Sequence, residues 1–419
     1  MAAEPDTIRQ ARAAAETAAR AAYGRLIAFL SARNRDVAAA EDALADAFLA
    51  ALETWPERGI PDRAEAWLLA VARRRLIDRA RQSARAGAAE PDLVRQIEEA
   101  EMAANADNSA FPDERLKLLF ICAHPAIAAA VRTPLMLQTV FGFDAARIAS
   151  AFLTAPAAMG QRLVRAKTKI RATRPGFAEP GRPDWPDRLD AVLSAIYAAY
   201  TAGWDDPAGL DGPRSGFARE AIALGRMTAA LLPDEGEAHG LLALMLHCEA
   251  RKPARRNAAG EFVPLSQQDT ELWDRSLIAQ AEAALRRALE CGPPGRFALE
   301  AAIQSAHAVR LVRGSADWDA IVQLYDRLIA VTPALGAQIA RAAALAESQG
   351  AEAGLAVLDQ IDPERVKEHL PWWATRAHLL HETGRFAEAG GAYRRAAGLT
   401  TDPAVRSWLL ARGRDALSP

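Results

Sequence analysis

Strong helix formers fill this chain and β-branched runs are nearly absent, so its long patterned stretches have no ready alternative to α-helix. Residues 37–55 are representative. Val37, Leu44, Phe48, Ala51, Leu52 and Trp55 return at the helical period and predict a core-facing stripe. Asp42, Asp46, Leu49 and Glu53 share another side of the same helix. Residues 64–82 carry the opposite charge. Leu69, Ala72, Leu76 and Ala80 form the expected buried stripe, with Leu68 and Ile77 on its flanks. Arg73, Arg74, Arg75, Arg79 and Arg81 crowd the rest, a density suited to phosphate. An all-α fold is expected throughout.

The 419 residues suggest two to three domains. The net charge of −2 is uninformative until it is divided along the chain. Residues 1–85 carry +2, 86–112 carry −5, 113–172 carry +6 and the remainder −5. Two basic units thus flank an acidic connector, which points to a polyanion partner at the N-terminal end. Local punctuation agrees: 83–89 is small and polar, 105–112 reads as a loop, and 175–186 holds four prolines. The expected domains are 8–85, an acidic linker 86–112, then 113–173 and 187–418.

Three scattered cysteines, Cys122, Cys248 and Cys291, exclude a disulfide scaffold and suit a reducing compartment. No apolar run reaches the roughly 18 residues a membrane helix needs. The acidic N-terminus lacks the apolar segment of a signal peptide. A cytoplasmic protein with no membrane partner is expected.

Residues 144–151, a turn at 152–155 and a helix over 156–171 have helix-turn-helix length and pattern. Met159, Leu163, Ala166 and Ile170 form an apolar stripe, and Ala158, Gln161, Arg162, Arg165 and Lys169 lie opposite. Pro156 suits a first helical position, with Thr154 the expected cap in place of Ala155. Arg162, Arg165, Lys167, Lys169 and Arg171 are candidate phosphate ligands. Gln161 and Arg165 have the bidentate donors that base edges require.

Beyond Pro186 the pattern becomes helical hairpins with a period near 34: Ile321, Leu355 and Ala389 keep that spacing, as do Gly350 and Gly384. Trp373, Ala377, Leu380, Gly384, Phe386, Ala389, Tyr393 and Ala396 follow a tetratricopeptide pattern. The middle repeat is degenerate, with Asp359 where a tyrosine would pack. Residues 260–273 interrupt the helices with a long loop, for which Gln268, Asp269 and Trp273 are the candidate anchors.

The segments AEDALADAFLAALETW and AWLLAVARRRLIDRARQ resemble region 2 of extracytoplasmic-function (ECF) sigma factors of the sigma-70 family. IASAFLTAPAAMGQRLVRAKTKIR resembles their region 4, and the repeat tail is similar to the C-terminal extension of one subgroup. The resemblance implies a region 2 helical bundle, a region 4 helix-turn-helix and a regulatory tetratricopeptide-like array. It implies core RNA polymerase as partner, through its β′ clamp helices and β flap. Promoter DNA, double-stranded at −35 and melted at −10, is the other implied partner. Glu41, Asp42, Asp46 and Phe48 fall to the polymerase contact, and Arg73, Arg74, Arg75, Arg79 and Arg81 to the −10 element. Gln161, Arg162, Arg165, Lys167, Lys169 and Arg171 fall to the −35 element. The segment 57–65 is where a pocket for a flipped −10 base belongs. The groove of the array has three candidate occupants: another part of this chain, a second protein, or nothing.

The alternatives are a repeat scaffold that docks proteins only, or a helix-turn-helix regulator of another kind. No HExxH, Walker A or Cys/His metal spacing occurs, so neither enzyme activity nor a cofactor is expected. Cys122, His124, His247 and Cys248 read as core residues.

Overall fold

The computed structural model describes residues 6–34, 36–85, 113–152, 154–172, 180–204 and 214–416. The acidic linker 86–112 and residues 175–179 of the proline-rich stretch lie outside them. Helices and turns make up the described residues. Among these, no strand forms beyond an isolated bridge between Arg256 and Phe262. The backbone divides into two compact units, Met1–Leu231 and Leu232–Pro419.

The first unit begins with three packed helices, α1 (Asp6–Asn34), α2 (Val37–Arg58) and α3 (Ala64–Arg85). Asp36 caps α2 by accepting from the Ala39 N–H at 3.0 Å. The buried face of α2 is an alanine ridge, Ala40, Ala43, Ala47 and Ala51, set between Val37, Leu44 and Trp55. Small side chains let the neighbouring helices approach closely. Two residues expected in this stripe depart from it: Phe48 is half-buried and Leu52 is 41% exposed. Gly59 ends the helix at φ +86°, a conformation that L side chains rarely adopt. On α3, Leu68 and Ala72 are fully buried, while Leu69 and Leu76 are only half-buried. Ala72 and Ala80 are buried as expected, and the flank residue Leu68 joins them in place of Leu69.

Next come α4 (Glu114–Cys122), α5 (Ala129–Thr139), α6 (Ala145–Ala151), α7 (Pro156–Ala172), α8 (Trp185–Trp204) and α9 (Arg214–Leu231). The sequence placed a domain boundary between 173 and 187, yet α8 and α9 belong to the first unit. Arginine and aromatic anchors hold them there. The buried Arg188 guanidinium donates to the Phe120 carbonyl at 3.0 Å, and Trp185 meets the Phe120 ring with centroids 5.9 Å apart. Arg115 bridges Asp113 at 2.7 Å and Glu220 at 2.8 Å. Arg147 stacks over Phe143 and Phe217 and donates to the Ala202 carbonyl at 3.2 Å. Prolines mark where the helix breaks; they do not mark where packing ends.

The second unit comprises α10 (Gly236–Ala250), α11 (Arg275–Glu290), α12 (Arg296–Ala308), α13 (Trp318–Val331) and α14 (Leu335–Gln349). It continues through α15 (Ala351–Leu358), α16 (Leu370–Glu382), α17 (Phe386–Leu399) and α18 (Pro403–Asp415). Successive helices pack as hairpins. Ile321, Leu355 and Ala389 are all buried, and Gly350 and Gly384 make turns at φ +96° and +75°. Asp359, in the degenerate repeat, pairs with Arg376 instead of filling an apolar gap.

The loop 260–273 is tied into this unit. The Arg256 guanidinium pairs with Asp402 at 2.6 Å, and Phe262 packs edge-on to Trp408. Arg310 donates to the Leu265 and Ser266 carbonyls, and Gln268 and Trp273 are buried. Asp269 caps a short turn by accepting from the Glu271 N–H.

Cys122 and His247 are core residues, with burial pushing the thiol up to about 12 and the imidazole down to about 4. Glu282 lies 3.4 Å from His247 Nε2 without a hydrogen bond, its Oε1 being taken by the Ser305 hydroxyl at 2.6 Å. Burial therefore prevails and the ring is held neutral.

Candidate nucleic-acid interface

Helices α6 and α7 pack against each other. Asp144 caps α6 by accepting from the Arg147 N–H at 2.7 Å. Pro156 opens α7, and the Ala155 carbonyl accepts from the Met159 N–H at 3.0 Å. Ala155 therefore holds the cap position. The Thr154 hydroxyl is buried without a hydrogen-bond partner, so it does not cap as expected.

Met159, Leu163, Ala166 and Ile170 are all buried, and Gln161, Arg162, Arg165 and Lys169 are exposed. Val164, 64% exposed, lies among those donors in sequence. The Arg171 side chain lies outside the described residues. Lys167 departs from the pattern. Its ammonium meets Glu41 Oε2 of α2 at 2.5 Å, with side-chain exposures of 12% and 18%. Burial pushes the Glu41 carboxyl above its ordinary range, nearby Asp42 adds to this and Lys167 opposes it. Burial and the Glu41 charge also push the Tyr23 phenol upward.

On α3, Arg74, Arg75 and Arg81 are exposed. Arg73 is half-buried, its guanidinium 6.0 Å from the centre of the Phe29 ring. Arg79 turns to α2, donating to Asp42 at 3.3 Å and Asp46 at 2.8 Å. Thus α2 presents Asp42 and Glu53 to solvent beside Leu49, 60% exposed, and Leu52. Uncovered leucines among carboxylates suit a protein partner better than solvent alone. Sequence reasoning placed Leu52 in the core, and the alanine ridge is the signal that it faces outward.

A cleft of about 780 Å³ opens beside the turn between α2 and α3, lined by Ala13, Thr17, Leu26, Asp62, Arg63 and Glu65. It overlaps the segment 57–65. Among the described residues no cluster of His, Cys, Asp and Glu is placed to hold a metal, and no helix is long and apolar enough to cross a membrane.

Residues 19–86, which include all of α2 and α3, match the family described as sigma-70 region 2. The chain carries a sigma-70 region 2. Region 2 implies binding to core RNA polymerase and promoter DNA, and with it a role in transcription initiation. Sigma-70 family proteins are non-enzymatic transcription factors. Residues 188–289 match a family of unknown function, DUF6596, which runs from α8 into α11 and so spans both compact units. Over 391 residues the chain is 35% identical to "Uncharacterized protein R00370" of Rhizobium meliloti (strain 1021), covering 93% of this chain and 91% of the relative. The two belong to one family. No solved structure matches.

Proposed function

We propose that this chain is an ECF-type sigma factor that reads promoters with two helices. In this reading α3 meets the −10 element through Arg73, Arg74, Arg75, Arg79 and Arg81. The cleft beside 57–65 receives a base flipped from the melted strand, and α7 enters the major groove at −35. Gln161 and Arg165 read base edges there, while Arg162, Lys167, Lys169 and Arg171 hold phosphates. Core polymerase takes the acidic and leucine-bearing side of α2 through its β′ clamp helices, with Asp42 and Asp46 as contacts and Glu41 and Phe48 in support. Its β flap takes the region 4 unit. The tetratricopeptide-like array modulates these steps.

One observation carries the reading. The exposed donors of α7 oppose a fully buried apolar stripe, in a chain whose residues 19–86 match sigma-70 region 2. Run-off transcription with core polymerase on a promoter library tests it. The expected result is transcript from a subset of templates that core alone does not use. Absence of both core binding and template-selective transcript would reject it.

A further inference from the structure

The loop that interrupts the repeats reaches the last helix of the second unit, and a cleft remains where they meet. Asp402 pairs with Arg256 at 2.6 Å and also accepts from the Ala404 N–H at 2.9 Å, so one carboxylate both caps α18 and ties the loop to it. Phe262 meets Trp408 edge-on, with ring centroids 5.7 Å apart. The cleft beside these anchors encloses about 700 Å³ and is bordered by Glu261, Phe262, Gln267, Ser407, Trp408 and Arg414. That volume lies within the range of about 300–1,000 Å³ that small-molecule sites occupy.

The walls of the cleft carry donors that the fold leaves unspent. Backbone hydrogen bonds from Asn257 to Glu261 and from Val263 to Arg255 flank the bridge between Arg256 and Phe262. In an antiparallel pair of that kind the bridged residues turn their own N–H and C=O groups outward. The Phe262 N–H therefore lies on the outer edge, without a partner among the described residues. The Trp408 indole N–H and the exposed Arg414 guanidinium likewise find none among them. The nearby carboxylate is already engaged, since Glu261 accepts from the Asn257 amide at 2.7 Å. Aromatic rings beside free donors, a guanidinium among them, match a ligand that joins a ring to an anionic acceptor.

We infer that this cleft binds an aromatic carboxylate. The ring packs on Trp408 and Phe262, and the carboxylate takes Arg414 and the neighbouring N–H donors. The site lies within the second compact unit, so the inference stands apart from the sigma-factor reading. A free acid and a polypeptide ending in an aromatic residue share this chemistry.

Isothermal titration calorimetry of the full chain with 3-phenylpropanoate tests the assignment. The acid is expected to bind at one site. Its uncharged analogue, 3-phenylpropanamide, should bind about tenfold more weakly, the effect of losing one hydrogen bond to a charged group. Arg414→Gln, at an exposed position, should weaken the acid by a similar factor and leave the amide unchanged. Arg406→Gln makes the same charge change on α18 outside the cleft, where Arg406 donates to the Thr400 carbonyl, and should bind the acid as wild type does. Acetyl-Gly-Gly-Phe separates the two sources: tighter binding than 3-phenylpropanoate assigns the site to a polypeptide end, and weaker binding to a free acid. Absence of binding by both acids, equal affinity for 3-phenylpropanoate and its amide, or the same weakening in Arg406→Gln as in Arg414→Gln would overturn the inference.

Discussion

Helices α3 and α7 are both cationic, and each gives up one cation to α2, yet the two contacts differ in kind. The Arg79 side chain is 44% exposed in its pair with Asp42 and Asp46, where water and salt screen the charges. Lys167 and Glu41 are 12% and 18% exposed, so neither charge regains much hydration without the other. The same pairing chemistry thus orders a surface in one place and joins two segments in the other. A surface pair can be lost cheaply; a desolvated one must be opened as a unit.

The largest expected effect follows from that contrast. Lys167→Ala strands a desolvated carboxylate and should lower stability by about 3 kcal/mol in denaturant unfolding of the full chain. A loss as small as that of an exposed pair would erase the distinction between the helices. Arg165→Ala comes next. It should weaken promoter binding by about 1–3 kcal/mol if the guanidinium contacts a base, with the loss confined to templates bearing the preferred −35 sequence. Equal weakening on every template would move Arg165 to phosphate binding. Smallest is Asp46→Asn, expected to change stability by less than about 1 kcal/mol because its partner stays solvated. A loss comparable to that of Lys167→Ala would show the Arg79 pair to be structural as well.

How much of this was legible in the sequence also divides along the two helices. The stripe of α7 was readable in full, because Met159, Leu163, Ala166 and Ile170 face one packed surface at strict helical spacing. On α3 Ala72 and Ala80 are buried as expected, but Leu68 and Leu69 are both apolar and only the neighbouring helices decide that Leu68 is central. The pairing of Glu41 with Lys167 had no local signal at all, the partners being 126 residues apart. The same is true of Arg256 and Asp402, separated by 146. Alanine content identified helices readily but hid how tightly α2 would pack, and so Leu52 was placed on the wrong side. Ile321, Leu355 and Ala389, spaced by 34 residues, are all buried. The proline-rich stretch misled, because the contacts of Arg188, Arg147 and Arg115 carry the first unit across it.

The division of labour between α3 and α7 is tested most directly by permanganate footprinting of promoter thymines with reconstituted holoenzyme. Arg75→Ala on α3 should leave the promoter bound but closed, whereas Arg165→Ala on α7 should reduce occupancy while the complexes that do form still open. Opening by the Arg75→Ala protein as complete as wild type, or full occupancy without opening in Arg165→Ala, would contradict the account.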